Sequence, residues 1–332
     1  MKSRSIDLGV PPQAVWDRLV AAGRRDWYYQ LTPEGEFAPG ARIEWNDVTG
    51  KLTEESEVVE VDAPRRLALR TRFLFAPAFA ASEPHLLTWD IEPAPGGSRV
   101  RLVWQSSDLI GGLFASEADG ILAGLRLALD PAAQAELARL PEIGEVEIHD
   151  VTPERVADYQ SFFDHDAFRD FPSWQSCYCM ETHSTHTAEE SAARTAAQNR
   201  RDMSEMITQG QVTALLAYAG GKPVGWCNYG ETTRLSGVMR RFGADTSDHE
   251  GVGSVACFVI AAPYRGHGIA SRLLEAAVER LRARGLRAVE GYPHRGADSA
   301  QTNYRGPLSM YLRAGFEIYR ETDRNVVVRK TL

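Results

Sequence analysis

Ser254-Val-Ala-Cys-Phe-Val-Ile260, followed by Ala-Ala-Pro-Tyr-Arg265-Gly-His-Gly268-Ile-Ala270, is the stretch that decides the fold. The short apolar run reads as a buried strand that passes through a glycine-rich turn into an amphipathic helix ending near Arg284. Ile269, Leu273, Ala277 and Leu281 recur every four residues, so one helix face packs on a sheet. Gly266 and Gly268 let the backbone approach closely, and the first-turn N–H groups have no acceptor within the helix. A strand-to-helix turn of this kind is an anion site, with Arg265 and Arg272 able to reach a phosphate. Neither a Gly-Lys-Ser/Thr ending nor a full Gly-x-Gly-x-x-Gly is present, so nucleotide-triphosphate and dinucleotide fingerprints fit worse.

Working outward, Leu286–Tyr292 reads as a further strand, and Ser309-Met-Tyr311-Leu-Arg-Ala-Gly315-Phe316 as a short helix with its stop. Upstream, Thr213–Tyr218 and Pro223–Asn228 are strand-like runs joined by a Gly220-Gly221 turn. Arg265-x-x-Gly268-x-Ala270 and Tyr311-x-x-x-Gly315-Phe316, in that order, resemble the signature of the GNAT N-acetyltransferases over residues 145–332. The resemblance implies acetyl-CoA as cosubstrate, with its pyrophosphate on Arg265, Gly266, His267, Gly268, Ile269, Ala270 and Arg272. It also implies contacts from Phe258, Val259, Ile260, Asn303 and Tyr304. Two departures stand out: Tyr304 occupies the place where many members carry Asn, with Asn303 one position off, and Pro307 interrupts the expected helix. A helix beginning at Pro307 itself would suit a proline in the first turn.

The implied chemistry is direct attack of a neutral amine on the thioester in a ternary complex. A backbone N–H on the Phe258–Ile260 strand would steady the oxyanion, and Tyr311 would protonate the leaving thiolate. The alternative for Tyr311 is an aromatic packed at a helix end. For the base, Glu231, Glu250, Glu290, His183 and His249 all qualify by type; Glu290 is preferred because it closes the strand after the cofactor helix. Phe171-Pro-Ser-Trp174-Gln-Ser-Cys177-Tyr178-Cys179-Met180 resembles a Trp/Cys-x-Cys element of small-molecule GNAT branches, which makes Trp174, Tyr178 and Asn228 the expected acceptor-site residues. The same segment reads equally as a buried loop with thiols acting as small hydrophobes. Cys177, Cys179, His183 and His186 have ligand types suited to zinc, but Cys-x-Cys is not the usual zinc spacing, and no metal is expected.

The first hundred residues alternate differently. Ala41, Ile43 and Trp45, then Leu87, Trp89 and Ile91, then Val100, Leu102 and Trp104 carry the period of two of half-buried antiparallel strands, the last two joined by a Pro- and Gly-rich turn. Pro12–Leu19 opens as a helix, and Ser116–Leu140 is helical with a break or restart at Pro131. Val10-Pro-Pro-Gln-Ala-Val-Trp16, Gly40–Trp45 and Val61–Leu67 resemble the START-like SRPBCC superfamily, in the branch related to activators of the heat-shock ATPase chaperone. This implies an antiparallel sheet gripping a long C-terminal helix. Trp27, Tyr28, Tyr29, Trp45, Phe73, Phe75, Trp89 and Trp104 would then either line a pocket for an apolar ligand or fill the core. The fold class is α+β, divided as 1–143 and 144–332, where Pro141–Gly144 breaks the helical pattern.

The 332-residue length agrees with two domains. A net charge of −8, with no run of five basic residues, disfavours nucleic acid and anionic membrane as partners. Lys2–Glu142 holds 15 basic and 21 acidic residues against 22 and 24 from Glu145 onward, so the less acidic half is the one with the anion loop. Four cysteines without a framework spacing and no long apolar run lead to the expectation of a soluble cytoplasmic chain. Its acceptor is expected to be a small, cationic, antibiotic-type amine. A homodimer, a protein amine as acceptor, and a non-catalytic acetyl-CoA sensor or chaperone-assisting protein remain open.

Overall fold

The computed structural model describes residues 1–48, 50–105, 108–242, 249–297, 299–321 and 326–332. Its contacts divide the chain into two compact units. Unit 1 comprises Met1–Leu137 with Asp170–Ser176 and His186–Ala196; unit 2 comprises Ala138–Arg169, Cys177–Thr185 and Ala197–Leu332.

In unit 1 the chain runs β1 (Lys2–Leu8), α1 (Pro12–Val20), β2 (Thr32–Glu34), β3 (Arg42–Asn46), β4 (Leu52–Asp62), β5 (Arg66–Phe73), α2 (Pro77–Ala80), β6 (His85–Ala94), β7 (Gly97–Gln105), α3 (Asp108–Leu129) and α4 (Pro131–Glu136). The seven strands form one antiparallel sheet in the order β1-β7-β6-β5-β4-β3-β2. The alternation seen in the sequence is the burial pattern: Leu87, Trp89, Ile91, Val100, Leu102 and Trp104 face the core, against Phe114, Ile121, Leu122 and Leu125 of α3. That helix starts earlier than the pattern from Ser116 indicates and ends at Leu129, and a new helix begins at Pro131 as expected, where Asp130 caps α4 by accepting from the N–H groups of Ala132 and Ala133.

The eight aromatics fill this core more than they line a void. Trp27, Tyr28, Trp45, Phe73, Trp89 and Trp104 are all buried, while Phe75 is exposed. The space beside Trp27, Tyr28, Trp45 and Trp89 is about 10 Å³, room for one water molecule and not for an organic ligand. A larger cleft of about 200 Å³ in the same unit is lined by Arg18, Trp27, Leu127, Gln134, Phe171 and Ser173, among others.

Unit 2 is built on β8 (Val146–Asp150) and α5 (Val156–His165). After α6 (Ala188–Ala193), which counts with unit 1, the chain continues as α7 (Ala196–Thr208), β9 (Ala214–Ala219), β10 (Lys222–Glu231), α8 (Ser236–Phe242), β11 (Val252–Ile260), α9 (Ile269–Ala283), β12 (Ala288–Gly291), α10 (Leu308–Arg313), β13 (Glu317–Glu321) and β14 (Val326–Thr331). The sheet order is β13-β14-β12-β11-β10-β9-β8. It is antiparallel except for β11 and β12, which run parallel because α9 crosses between them. Ile269, Leu273, Ala277 and Leu281 are all buried against the sheet, so the four-residue recurrence is the packed face of α9. The Gly220-Gly221 turn joins β9 to β10 with both glycines at positive φ, and α10 begins directly after Pro307.

Candidate functional site

The site grows from the point where β11 outruns its neighbour. β11 pairs with β12 only from Val252↔Ala288 to Val255↔Gly291, and then continues to Ile260 with β10 alone on its other edge. Strand residues alternate the direction of their N–H groups. Ala261 donates to Val224 on the β10 side, so Val259 faces β10, while Phe258 and Ile260 face the parted side. Phe258 N–H is already engaged there, donating to the Tyr304 carbonyl at 2.6 Å. Ile260 offers its N–H on that same side, and its carbonyl accepts from Arg265 Nε at 2.9 Å.

Beyond Ile260 the turn Ala262–Tyr264 leads to Gly266 and Gly268, both at φ 77°, a left-handed geometry that a side chain disfavours. Gly268 caps α9, and its carbonyl accepts the backbone N–H of Arg272 at 3.1 Å. The N–H groups of the preceding first-turn residues therefore point out of a fifteen-residue helix toward the loop. The arginines flank this turn. Arg265 is tied to Ile260, and Arg272 donates from Nη2 to the Val146 carbonyl at 2.6 Å. His267 turns its Nε2 to the Leu140 carbonyl at 2.8 Å.

Tyr311 lies fully buried below the parted strands, edge-on to Phe316. Its hydroxyl donates to the Arg305 carbonyl at 2.7 Å. Burial, aided by nearby thiols, holds the phenol well above its usual range, so it is a neutral donor. Gly306 adopts φ 83°, a left-handed backbone that a side chain strains, and a Cβ there would also crowd Met310 Cε and Tyr311 Cε2. Asn303 folds back locally, donating from Nδ2 to the Ser299 carbonyl at 2.9 Å.

Glu290 is fully buried, and both its oxygens are engaged. Arg329 donates from Nε and Nη2 to Oε1 at 2.9 and 2.6 Å, and Tyr292 donates to Oε2 at 3.1 Å. Tyr292 is in turn within 2.6 Å of Ser254 Oγ, itself 2.7 Å from Thr232. Such a carboxylate neutralises a partly buried guanidinium, and this environment favours a structural role over that of a base.

Of the expected acceptor residues, Trp174 counts with unit 1 and packs its ring against Phe171. In unit 2, Tyr178 donates to Asp164, which also pairs with Arg200. Asn228 is fully buried and pairs with His183 Nε2 at 3.0 to 3.2 Å. Burial pushes the His183 imidazole down to about 4, so it is uncharged at neutral pH. Opposite Asn228 stands Cys257, whose thiol is 3.6 Å from that of Cys179. Burial pushes Cys177 up to about 12, and the Cys257 contact together with burial raises Cys179 as well, which makes these two thiols poor nucleophiles. Cys227 is buried in the core, as its strand position suggests. Among the described residues no group of three or more metal-ligating side chains is placed to hold an ion.

The sequence reading missed Arg139, whose side chain lies against the Gly266–His267 turn. Its only signal was position in the chain, 127 residues before its contact, which no local pattern reports.

Residues 163–304 match the model of the acetyltransferase (GNAT) family and residues 9–120 that of Activator of Hsp90 ATPase homolog 1-like proteins. The chain thus carries a GNAT acetyltransferase domain behind an AHSA1-like domain of the SRPBCC type, and the GNAT family uses acetyl-CoA. Similar solved structures include an N-acetyltransferase from Staphylococcus aureus Mu50 (12% identity, TM-score 0.36, covering 57% of this chain and 99% of that one). A PaiA N-acetyltransferase from Thermoplasma acidophilum in complex with coenzyme A is 15% identical, with a TM-score of 0.37, and covers 57% of this chain and 99% of its own. A protein from Mesorhizobium loti is 19% identical, with a TM-score of 0.33, and covers 39% of this chain and 96% of its own. No curated protein matches the chain. Among the described residues no helix is long and apolar enough to cross a membrane.

Proposed function

We propose that residues 144–332 act as an acetyl-CoA-dependent N-acetyltransferase that passes the acetyl group directly to the amine of a small, antibiotic-type molecule in a ternary complex, with 1–143 as its partner domain. The observation that carries this reading is the Arg265–Ala270 turn, with two left-handed glycines at the start of α9, beside the parting of β11 from β12. The donor set fits a diphosphate: outward first-turn N–H groups and two guanidiniums.

When bound, acetyl-CoA supplies the activated acetyl thioester. The chain's residues bind and orient it. Ile260 N–H is the strand donor for the thioester carbonyl, and Phe258 N–H adds to it once the Tyr304 carbonyl withdraws. Tyr311 would hold the proton for the leaving thiolate, exchanging its Arg305 acceptor to deliver it, and the proton lost from the amine nitrogen would pass to solvent water, from which the phenol is reprotonated. Asn228 and the uncharged His183 form the acceptor contact; the depressed basicity of His183 suits it to receive a hydrogen bond from the amine better than to carry its proton. The cleft of about 200 Å³ is the place for a ligand of unit 1.

A second reading, a non-catalytic acetyl-CoA sensor, is favoured by one observation: the donors at Phe258 and Tyr311 are both satisfied internally. Thermal unfolding with and without acetyl-CoA tests what the two readings share. Ligand at about 100 times its dissociation constant adds about 2.7 kcal/mol of stability, and no shift at saturation removes both. Thiol release across small amines and peptide amines then separates them: turnover on small amines supports the proposal, turnover on peptides alone redirects it to protein acceptors, and none at all leaves the sensor.

A further inference from the structure

We propose that Arg139, in the segment between α4 and β8, is a phosphate-binding residue for the cofactor, completing the turn at the head of α9 from outside the recognised motif. The inference rests on the acetyl-CoA reading above.

Arg139 is held in place by both backbone groups of the residue that follows it. Leu140 N–H donates to the Pro263 carbonyl at 2.8 Å, and the Leu140 carbonyl faces His267 Nε2 at 2.8 Å. Residues 139 and 140 thus run along the turn, and the guanidinium lies over Gly266. Its Nη2 donates to the Gly266 carbonyl at 2.9 Å, and a Cβ on Gly266 would stand 3.1 Å from Arg139 Cζ. The glycine therefore serves a second purpose beyond its positive φ, since it makes room for this side chain. The 2.8 Å contact of His267 Nε2 with a carbonyl requires that nitrogen to carry hydrogen, so it cannot also accept from Arg139 Nε 3.4 Å away. Arg139 then spends one of its five N–H donors on the protein and keeps four.

Charge points the same way. Among the described residues Arg139 has no carboxylate partner, whereas Arg280, toward the other end of the same helix, pairs with Asp150 at 2.7 Å. Arg265 and Arg272 each give donors to backbone carbonyls. Arg139, exposed at this turn, keeps as many donors as Arg272 while lying directly over the Gly266 backbone, and a guanidinium fork suits phosphate oxygens.

Isothermal titration of the full chain with CoA and with dephospho-CoA tests this without any acceptor. Arg139→Gln removes the charge but keeps an amide donor for the Gly266 carbonyl; Arg139→Lys keeps the charge but loses the fork. A charge-assisted phosphate contact predicts that Gln weakens CoA binding about tenfold and that Lys stays within about threefold of the native chain. The Gln penalty should shrink at high salt. A penalty absent with dephospho-CoA assigns the contact to the ribose phosphate, and one that persists assigns it to the diphosphate. Native-like binding by Gln, or equal weakening by Gln and Lys, would show a mere brace for the turn and overturn the proposal. If the native chain binds neither ligand, the acetyl-CoA reading itself has failed.

Discussion

Glu290→Gln is the most informative substitution, because it separates a structural carboxylate from a catalytic one. Glu290 and Arg329 stand directly opposite each other on β12 and β14. The carboxylate side chain is 0% exposed and the guanidinium 14%. Glutamine keeps the shape and one acceptor oxygen but leaves the guanidinium without a counter-charge in a largely dry site. Breaking a buried pair by removing one partner costs about 3–5 kcal/mol, whereas replacing both by apolar groups is often near neutral. For a unit of this size each kcal/mol lowers Tm by about 2–4 °C, so the single variant should melt roughly 6–20 °C lower. Glu290→Leu combined with Arg329→Met should recover most of that loss. Calorimetry on the full chain, following the transition that acetyl-CoA shifts, measures both. A single variant with native Tm, or a double variant no better than the single, refutes the structural assignment. Native stability with a collapse of kcat would restore Glu290 as the base.

In unit 1, burial pushes Glu54 up to about 8 from its ordinary 4.5, despite the hydrogen bond from Tyr28. The folded state thus holds this proton more tightly than the unfolded one, so stability falls as pH rises from about 4.5 to 8, by about 1.4 kcal/mol per pH unit at most. Glu54→Gln should flatten that limb in pH-dependent denaturation; an unchanged slope rules Glu54 out as its cause. Gly306→Ala forces a side chain into a left-handed backbone against Met310 and Tyr311, which should cost about 1–3 kcal/mol in urea unfolding and weaken CoA binding. Native behaviour in both assays would show that the Tyr304–Gly306 turn is not constrained as described. Tyr311→Phe leaves the Arg305 carbonyl without its donor, a loss of about 1–2 kcal/mol. It should also lower kcat by at least tenfold with a changed alkaline limb, and an unchanged pH profile would reduce Tyr311 to packing.

Much of this was legible locally. The period-two runs that became β3, β6 and β7, and the four-residue recurrence of α9, could be read from sequence because each depends on which neighbours along the chain share a face. Pro131 and Pro307 marked helix starts for the same reason. The beginning of α3 at Asp108 was not legible from the later pattern, because its first turns carry Ile110 and Phe114 toward the sheet of unit 1. The ion pair that engages Glu290 was not legible, because its partner Arg329 lies 39 residues away on another strand. The glycine turn was read by type and spacing, yet nothing in that spacing shows that the Tyr304 carbonyl accepts from Phe258 N–H or that the Tyr311 hydroxyl donates to the Arg305 carbonyl.

By itself, the sequence determined the two domain types, the strand–turn–helix with its outward N–H groups, and the two arginines beside it. These follow from short-range backbone geometry, where glycine, proline and apolar spacing act within a few residues. Only the tertiary structure decided which charges are paired and which are available. Glu290 is bound to Arg329, burial keeps His183 neutral beside Asn228, and Arg139 is brought to Gly266 with no carboxylate partner among the described residues. Electrostatic roles depend on burial and on partners distant in the chain, and only folding brings these together.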